Sequence, residues 1–222
     1  MEILENFVVF EGLDGSGTTT QLNILEHFFL HNKSSIPNKS PLSNKSSLPT
    51  FHKTFEPTKG SIGKLIRSGL KKEISLSPQT IAMLFAADRN EHIFGDGGVA
   101  ERCRRGELVV SDRYLPSSLV YQGITCGEEL PARLNRDFPG PELLVFFDIE
   151  SEIAQKRIAG REQKELFENL DFQIQVRERY KALLPKLRAE GVRVEVIDAS
   201  LPQEEVARKV WAIVKELPIF KG

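Results

Sequence analysis

Five short apolar runs punctuate the chain, at residues 7–10, about 50–55, 108–111, 143–148 and 192–197, each rich in Val, Phe, Ile or Leu. Runs of this length without polar alternation predict strands buried on both faces. Between them the apolar spacing shifts to the helical period. Leu22, Leu25 and Phe29 share one face of a helix over 21–30, and Val206, Val210, Ile213 and Leu217 form one stripe over 202–217. Ser77 and Pro78 offer an N-cap and a first-turn residue to a helix reaching about His92. Ser151 caps another through Ile158, and a longer helix runs from about Asn169 to near Gly191. Strands alternating with helices predict βαβ crossovers, hence an α/β fold with a five-stranded, mainly parallel sheet between helical layers. At 222 residues the chain suits a single domain.

Residues 32–49 interrupt this plan. They read NKSSIP, NKSPLS, NKSSLP, a six-residue unit repeated three times. Each unit carries one large apolar residue, Ile36, Leu42 or Leu48, too little to offset the entropy of ordering its backbone. Polar turns with proline also fit a stacked β-helix poorly. The expectation is an inserted surface loop between the first helix and the second strand.

Composition narrows the function classes. With 30 Lys and Arg against 31 Asp and Glu, the net charge of −1 gives no sign of a nucleic-acid-coating protein. Two cysteines, Cys103 and Cys126, are too few for a disulfide framework and lack metal-ligand spacing. The acidic start and the absence of a membrane-length apolar run lead to the expectation of a cytoplasmic protein with no membrane partner.

The first strand runs directly into Gly12-Leu13-Asp14-Gly15-Ser16-Gly17-Thr18-Thr19-Thr20-Gln21. A strand, a glycine-rich loop and a helix in this order form a phosphate cradle: backbone N–H groups turn inward, and the helix N-terminus adds its positive end. The spacing fits G-x-x-x-x-G-K-[ST] except that Thr18 stands at the lysine position; Thr19 falls where the Mg²⁺-binding hydroxyl belongs. Residues 1–32 contain neither Lys nor Arg, so no change of register supplies the missing charge. On its own this pattern also fits a glycine-rich turn that merely begins a helix.

Further blocks accompany the loop. Thr54-Phe55-Glu56-Pro57-Thr58 precedes Ile62-Gly63-Lys64-Leu65-Ile66-Arg67, and Met83-Leu84-Phe85-Ala86-Ala87-Asp88-Arg89 lies on the proline-opened helix. Phe85 and Arg89, at i and i+4, share a helix face. Asp112-Arg113-Tyr114 follows a strand and leads to Pro116-Ser117-Ser118-Leu119-Val120-Tyr121-Gln122-Gly123. Arg157-Ile158-Ala159-Gly160-Arg161 and Val196-Ile197-Asp198-Ala199-Ser200 complete the set. In order and content these blocks, together with FEGLDGSG, resemble the thymidylate kinases, a family of phosphate-loop nucleoside monophosphate kinases. One departure is Phe55, where the family motif has arginine; Lys59 and Arg67 are candidates to replace it.

The resemblance implies transfer of the ATP γ-phosphoryl group to dTMP with Mg²⁺, giving ADP and dTDP for dTTP synthesis. It implies that Gly12, Gly15, Ser16, Gly17, Thr18, Thr19 and Thr20 hold the ATP phosphates, and that Thr19 and Asp112 attend the metal. Asp14, Glu56, Phe85, Arg89, Arg113, Ser118 and Tyr121 would bind dTMP, with Phe85 stacking on the base and Tyr121 crowding the sugar 2′ carbon. Asp14 would contact the acceptor sugar or the metal, and Arg113 the acceptor phosphate. Arg161, with Arg157 second, would close over the moving group from a lid at about 157–168. Residues 196–200 would line the adenine pocket. A homodimer is implied as well. Two alternatives stay open, a catalytically impaired or non-catalytic nucleotide-binding homologue lacking the loop lysine and a kinase for another deoxynucleotide such as dUMP or dCMP. The four histidines, His27, His31, His52 and His92, stand outside these motifs and receive no role.

Overall fold

The computed structural model describes residues 1–31, 48–159 and 169–221. Most of the repeat tract, most of the expected lid and Arg161 lie outside the described residues.

Five strands, β1 (Ile3–Gly12), β2 (Phe51–Phe55), β3 (Leu108–Asp112), β4 (Gly140–Asp148) and β5 (Arg193–Asp198), form one parallel sheet in the order β2-β3-β1-β4-β5. All five coincide with apolar runs in the sequence. β1 is the longest, because Ile3 and Leu4, ahead of polar Glu5 and Asn6, still pair with Gly140 and Pro141 before a register shift ahead of Val8. Side chains of β1 alternate between two cores. Val8 and Phe10 join a cluster with Leu22, Leu25, Phe146 and Tyr180; Phe7 and Val9 join Ile93, Val99, Cys103 and Tyr114. Both faces of the central strand are thus dry, which explains why it reads as a continuous apolar run.

The flanking helices are α1 (Thr18–His31), α2 (Ser61–Leu70), α3 (Pro78–Phe94), α4 (Val99–Arg104), α5 (Leu115–Cys126), α6 (Glu129–Asn135), α7 (Ser151–Ile158), α8 (Leu170–Ala189) and α9 (Gln203–Val214). Ser77 caps α3 as its sequence predicts, accepting from Thr80 N at 3.2 Å, and Asn169 caps α8 by accepting from Phe172 N at 2.7 Å. The cap expected at Ser151 is corrected: Glu150 occupies the N-cap without a side-chain bond, and Ser151 is the first helical residue. The last helix also ends earlier, at Val214, and Pro218 opens a separate 3₁₀ turn through Phe220.

Candidate active site

In a parallel sheet, ligands bind beyond the C-terminal ends of the strands. Here those ends bring together Gly12, Glu56, Asp112, Asp148 and Ala199 with the loops that follow. The phosphate loop turns between β1 and α1, with Ser16 N donating to Leu13 O at 3.0 Å. Gly15 and Gly17 have φ of 91° and 96°, and a Cβ on Gly15 would stand 2.4 Å from the Ala154 carbonyl of α7, so no side chain fits there. The first N–H groups of α1, beginning at Thr18, lie beyond the reach of intrahelical acceptors and point into the loop.

A cavity of about 780 Å³ opens over this loop. Asp14 through Thr20 form its floor; Lys53, Lys59, Arg113 and Arg157 bring positive charge to its walls; Ala199, Leu201, Gln203 and Val206 close its far end. The Gln203 carbonyl accepts from Gln21 Nε2 at 3.0 Å and ties that end to α1. Ala199 is therefore the residue of the 196–200 segment that reaches the cavity, whereas Val196 is exposed on the edge strand.

Thr19 donates its hydroxyl to Asp112 Oδ2, joining the two residues expected at the metal. The other carboxylate oxygen of Asp112 is buried and has no hydrogen-bond partner among the described residues. An unmet anionic oxygen beside a hydroxyl is a hard-donor set that suits Mg²⁺, which takes few protein ligands and completes its shell with water and substrate phosphate. Asp112 and Arg113, adjacent in sequence, do not pair with each other. Arg113 instead reaches Asp14, Nη2 to Oδ1 at 2.5 Å, and donates from Nη1 to Ser117 Oγ at 3.2 Å and Tyr121 Oη at 3.4 Å. Its φ of 70° is unusual for a side-chain-bearing residue and is held by Arg113 N donating to Phe10 O at 2.9 Å.

A second, smaller cavity of about 140 Å³ lies behind Arg113. Phe85, Arg89, Ser118 and Tyr121 line it, and it shares Asp14, Glu56 and Arg113 with the first. Arg89 is 1% exposed and lies 5.3 Å from the Tyr114 ring and 5.7 Å from the Phe138 ring. Glu56 Oε2 accepts from its Nε at 3.0 Å and Nη2 at 2.7 Å; Nη2 also reaches Ser118 Oγ at 3.0 Å, and Nη1 reaches Asn135. A spare hydrogen remains on Nη1 alone, so a ligand meets Arg89 as the rigid centre of a network.

Several contributors to the site act through contacts that the sequence motifs do not indicate. Glu56 Oε1 faces His92 Nδ1 at 3.0 Å, and His92 Nε2 faces Thr54 Oγ1 at 2.6 Å, so a histidine outside every motif braces the Glu56–Arg89 pair. Its spacing of three residues from Arg89 on α3 is the available clue. Asp88 accepts from Thr58 N at 2.6 Å and Thr58 Oγ1 at 2.7 Å, fixing the loop after Pro57. Arg67 donates to the carbonyls of Pro57 and Thr58, each at 2.7 Å, so this candidate replacement for the absent arginine is engaged in holding the loop. Beneath both cavities lies Glu11, fully buried. It accepts from Tyr114 N at 2.9 Å, Ser117 N at 3.2 Å, Ser117 Oγ at 2.7 Å and Tyr180 Oη at 2.7 Å. Desolvation raises its carboxyl above the usual range against the opposing pull of Arg113 and these donors.

A glycine-rich loop after the central strand, a hydroxyl-carboxylate pair beside it and two cavities joined at an arginine define a phosphate-loop nucleotide-binding protein of the α/β class. The family model described as thymidylate kinase matches residues 43–210, a span that begins after the loop bearing Thr18. The chain is 40% identical over 205 residues to a Treponema pallidum (strain Nichols) protein named "Putative thymidylate kinase", covering 92% of this chain and 91% of that one. It is 37% identical over 216 residues to a Pyrobaculum aerophilum protein named "Probable thymidylate kinase", covering 97% and 99%. This chain belongs to the thymidylate kinase family.

Proposed function

We propose that the protein transfers the γ-phosphoryl group of ATP to dTMP, yielding ADP and dTDP for dTTP synthesis. The observation that supports this reading is the junction of the two cavities at Asp14, Glu56 and Arg113, where one guanidinium borders both and could serve a donor and an acceptor phosphate.

The larger cavity suits ATP, with its phosphates on the loop amides from Gly12 to Thr20 and its adenine toward Ala199 and Leu201. Thr19 and Asp112 would hold Mg²⁺, which, when bound, neutralises charge shared between the β- and γ-phosphates. The smaller cavity suits a pyrimidine deoxynucleotide. Phe85 offers a ring for stacking, Arg89 and Ser118 a polar edge, and Tyr121 a wall against the sugar. Arg113, held by Asp14, would fix the acceptor phosphate, and Arg157 lines the donor side where the γ-phosphoryl leaves. The acceptor oxygen is already anionic, so alignment and charge neutralisation carry the step without a strong base. Arg161 is assigned with Arg157 to the moving group by resemblance. The reading includes a cytoplasmic setting and a homodimer; Met83 and Phe94 on α3, 52% and 55% exposed, offer apolar surface to a second copy.

A coupled assay with ATP, Mg²⁺ and a panel of dTMP, dUMP and dCMP tests the reading, with highest kcat/KM expected for dTMP. Nucleotide binding without turnover on any acceptor overturns it, and a preference for dUMP or dCMP reassigns the acceptor.

A further inference from the structure

The phosphate loop has no cation of its own. Phosphoryl transfer in phosphate-loop proteins depends on a positive charge at the β- and γ-phosphates, ordinarily a lysine at the position held here by buried Thr18. Resting on the kinase reading above, we infer that Lys59 supplies this charge from the loop after β2.

Among the described residues, the cations that line the donor cavity are Lys53, Lys59, Arg113 and Arg157. Lys53 is engaged by α1, its Nζ lying 2.5 Å from Glu26 Oε2 and 2.9 Å from Asn23 Oδ1. Arg113 is engaged by Asp14 and faces the acceptor. Arg157 reaches the loop from the β4 side, on the helix whose Ala154 carbonyl closes over Gly15. Lys59 stands on the other flank, toward the Thr19–Asp112 pair. Phe55 pairs with Asp112 in the sheet register, and Glu56 N donates to Asp112 O at 3.1 Å, so this chain segment leaves β2 directly beside the expected metal ligands.

Two features suit Lys59 to the role. Its root is fixed, because Thr58, the preceding residue, is bound by Asp88 through N and Oγ1 and by Arg67 through its carbonyl. Its ammonium lies 5.6 Å from the centroid of the Phe55 ring, a contact that orients a cation without neutralising it. No carboxylate pairs with Lys59 among the described residues, so its full charge is available to a ligand. Phe55 thus gains a function as the rest on which the cation sits. In the transfer, the bond from the γ-phosphorus to the ADP oxygen breaks and one to the dTMP phosphate oxygen forms.

Steady-state kinetics of the full chain and its Lys59→Met, Lys59→Arg and Lys59→Met/Thr18→Lys variants test the assignment, with calorimetric binding of a nonhydrolysable ATP analogue as a second readout. Lys59 is exposed, and thermal melting of each variant verifies that the fold is retained. Lys59→Met is expected to lower kcat about 10²- to 10³-fold with the KM for dTMP held within about threefold. Lys59→Arg is expected to keep most of the rate, and adding Thr18→Lys to Lys59→Met to recover at least about tenfold. A Lys59→Met kcat within twofold of wild type overturns the inference, as does failure of both charge-restoring variants. Absence of turnover in the wild type refutes the kinase reading instead. In that case, analogue binding weakened about tenfold in Lys59→Met still supports the charge assignment, and unchanged binding overturns it.

Discussion

Arg113 and Asp14 meet where the two cavities join, with Nη2 2.5 Å from Oδ1. The pair is only partly exposed, 19% and 28% at the side chains, so its charges are moderately screened. A guanidinium held this way presents its remaining face to the junction of the cavities in a fixed direction, as the proposed acceptor contact requires. Arg113→Met is expected to lower kcat/KM for the acceptor about a thousandfold, following a loss of about 4 kcal/mol. Arg113→Lys should recover part of this, because it restores a point charge but not the fork. Initial-rate kinetics over a dTMP series will report both.

The Thr19–Asp112 pair makes a separate prediction. Asp112→Asn removes the anionic oxygen while keeping the side-chain shape. It should lower kcat about a hundredfold and raise the half-saturating Mg²⁺ concentration. A Mg²⁺ titration at saturating ATP and dTMP checks this, and an unchanged midpoint would remove Asp112 from the metal site.

The His92–Glu56–Arg89 network predicts coupled losses of stability and affinity. Glu56→Ala leaves Arg89 as an unpaired buried charge, which should destabilise the fold by about 3–5 kcal/mol and lower Tm by roughly 10 °C. His92→Gln, which still donates to Glu56, should keep the KM for dTMP near wild type, whereas His92→Leu should raise it severalfold. Equal KM for the two His92 variants would show that the histidine has no part in placing Arg89.

Cysteine chemistry offers a check on the core. Burial pushes the Cys103 thiol up to about 12, with Glu107 and Glu142 adding to the effect. At pH 8 about one part in 10⁴ is thiolate. Native protein treated with iodoacetamide should therefore label at half-buried Cys126 and at Cys103 only after unfolding, as mass spectrometry will show.

For residues 32–49, low apolar content predicts dispensability. Replacing the tract by a few residues between α1 and β2 should leave soluble protein with Tm within a few degrees of wild type, because loop-closure entropy varies slowly with length. Insoluble product would contradict this.

The strands and the loop were legible in the sequence because their signals are local. β1, β3 and β4 announce themselves by unbroken apolar runs, and glycine spacing alone places the turn before α1. Pairs such as Phe85 and Arg89 were legible because one helical turn brings both to the same cavity. Short helices escaped: α4 and α6, of 6 and 7 residues, are too brief to show a period. The individual roles of Glu11, His92 and Asp88 escaped for a different reason. Each acts through a partner about 30 to more than 100 residues away, and no local pattern records such a pairing.

Glu11 stands immediately before the phosphate loop, yet its hydrogen bonds go to Tyr114 and Ser117, which line the smaller cavity, and to Tyr180 on α8. The loop under the larger cavity and one wall of the smaller are therefore anchored to one buried side chain. On the proposed reading, the gap between donor and acceptor phosphates would be set by this foundation, not by the rims of the cavities. Phe85, on α3, lies outside this network, so on the proposed reading exchanging it should alter which base is accepted with the transfer distance unchanged. Substrate preference and reaction geometry would then rest on different residues.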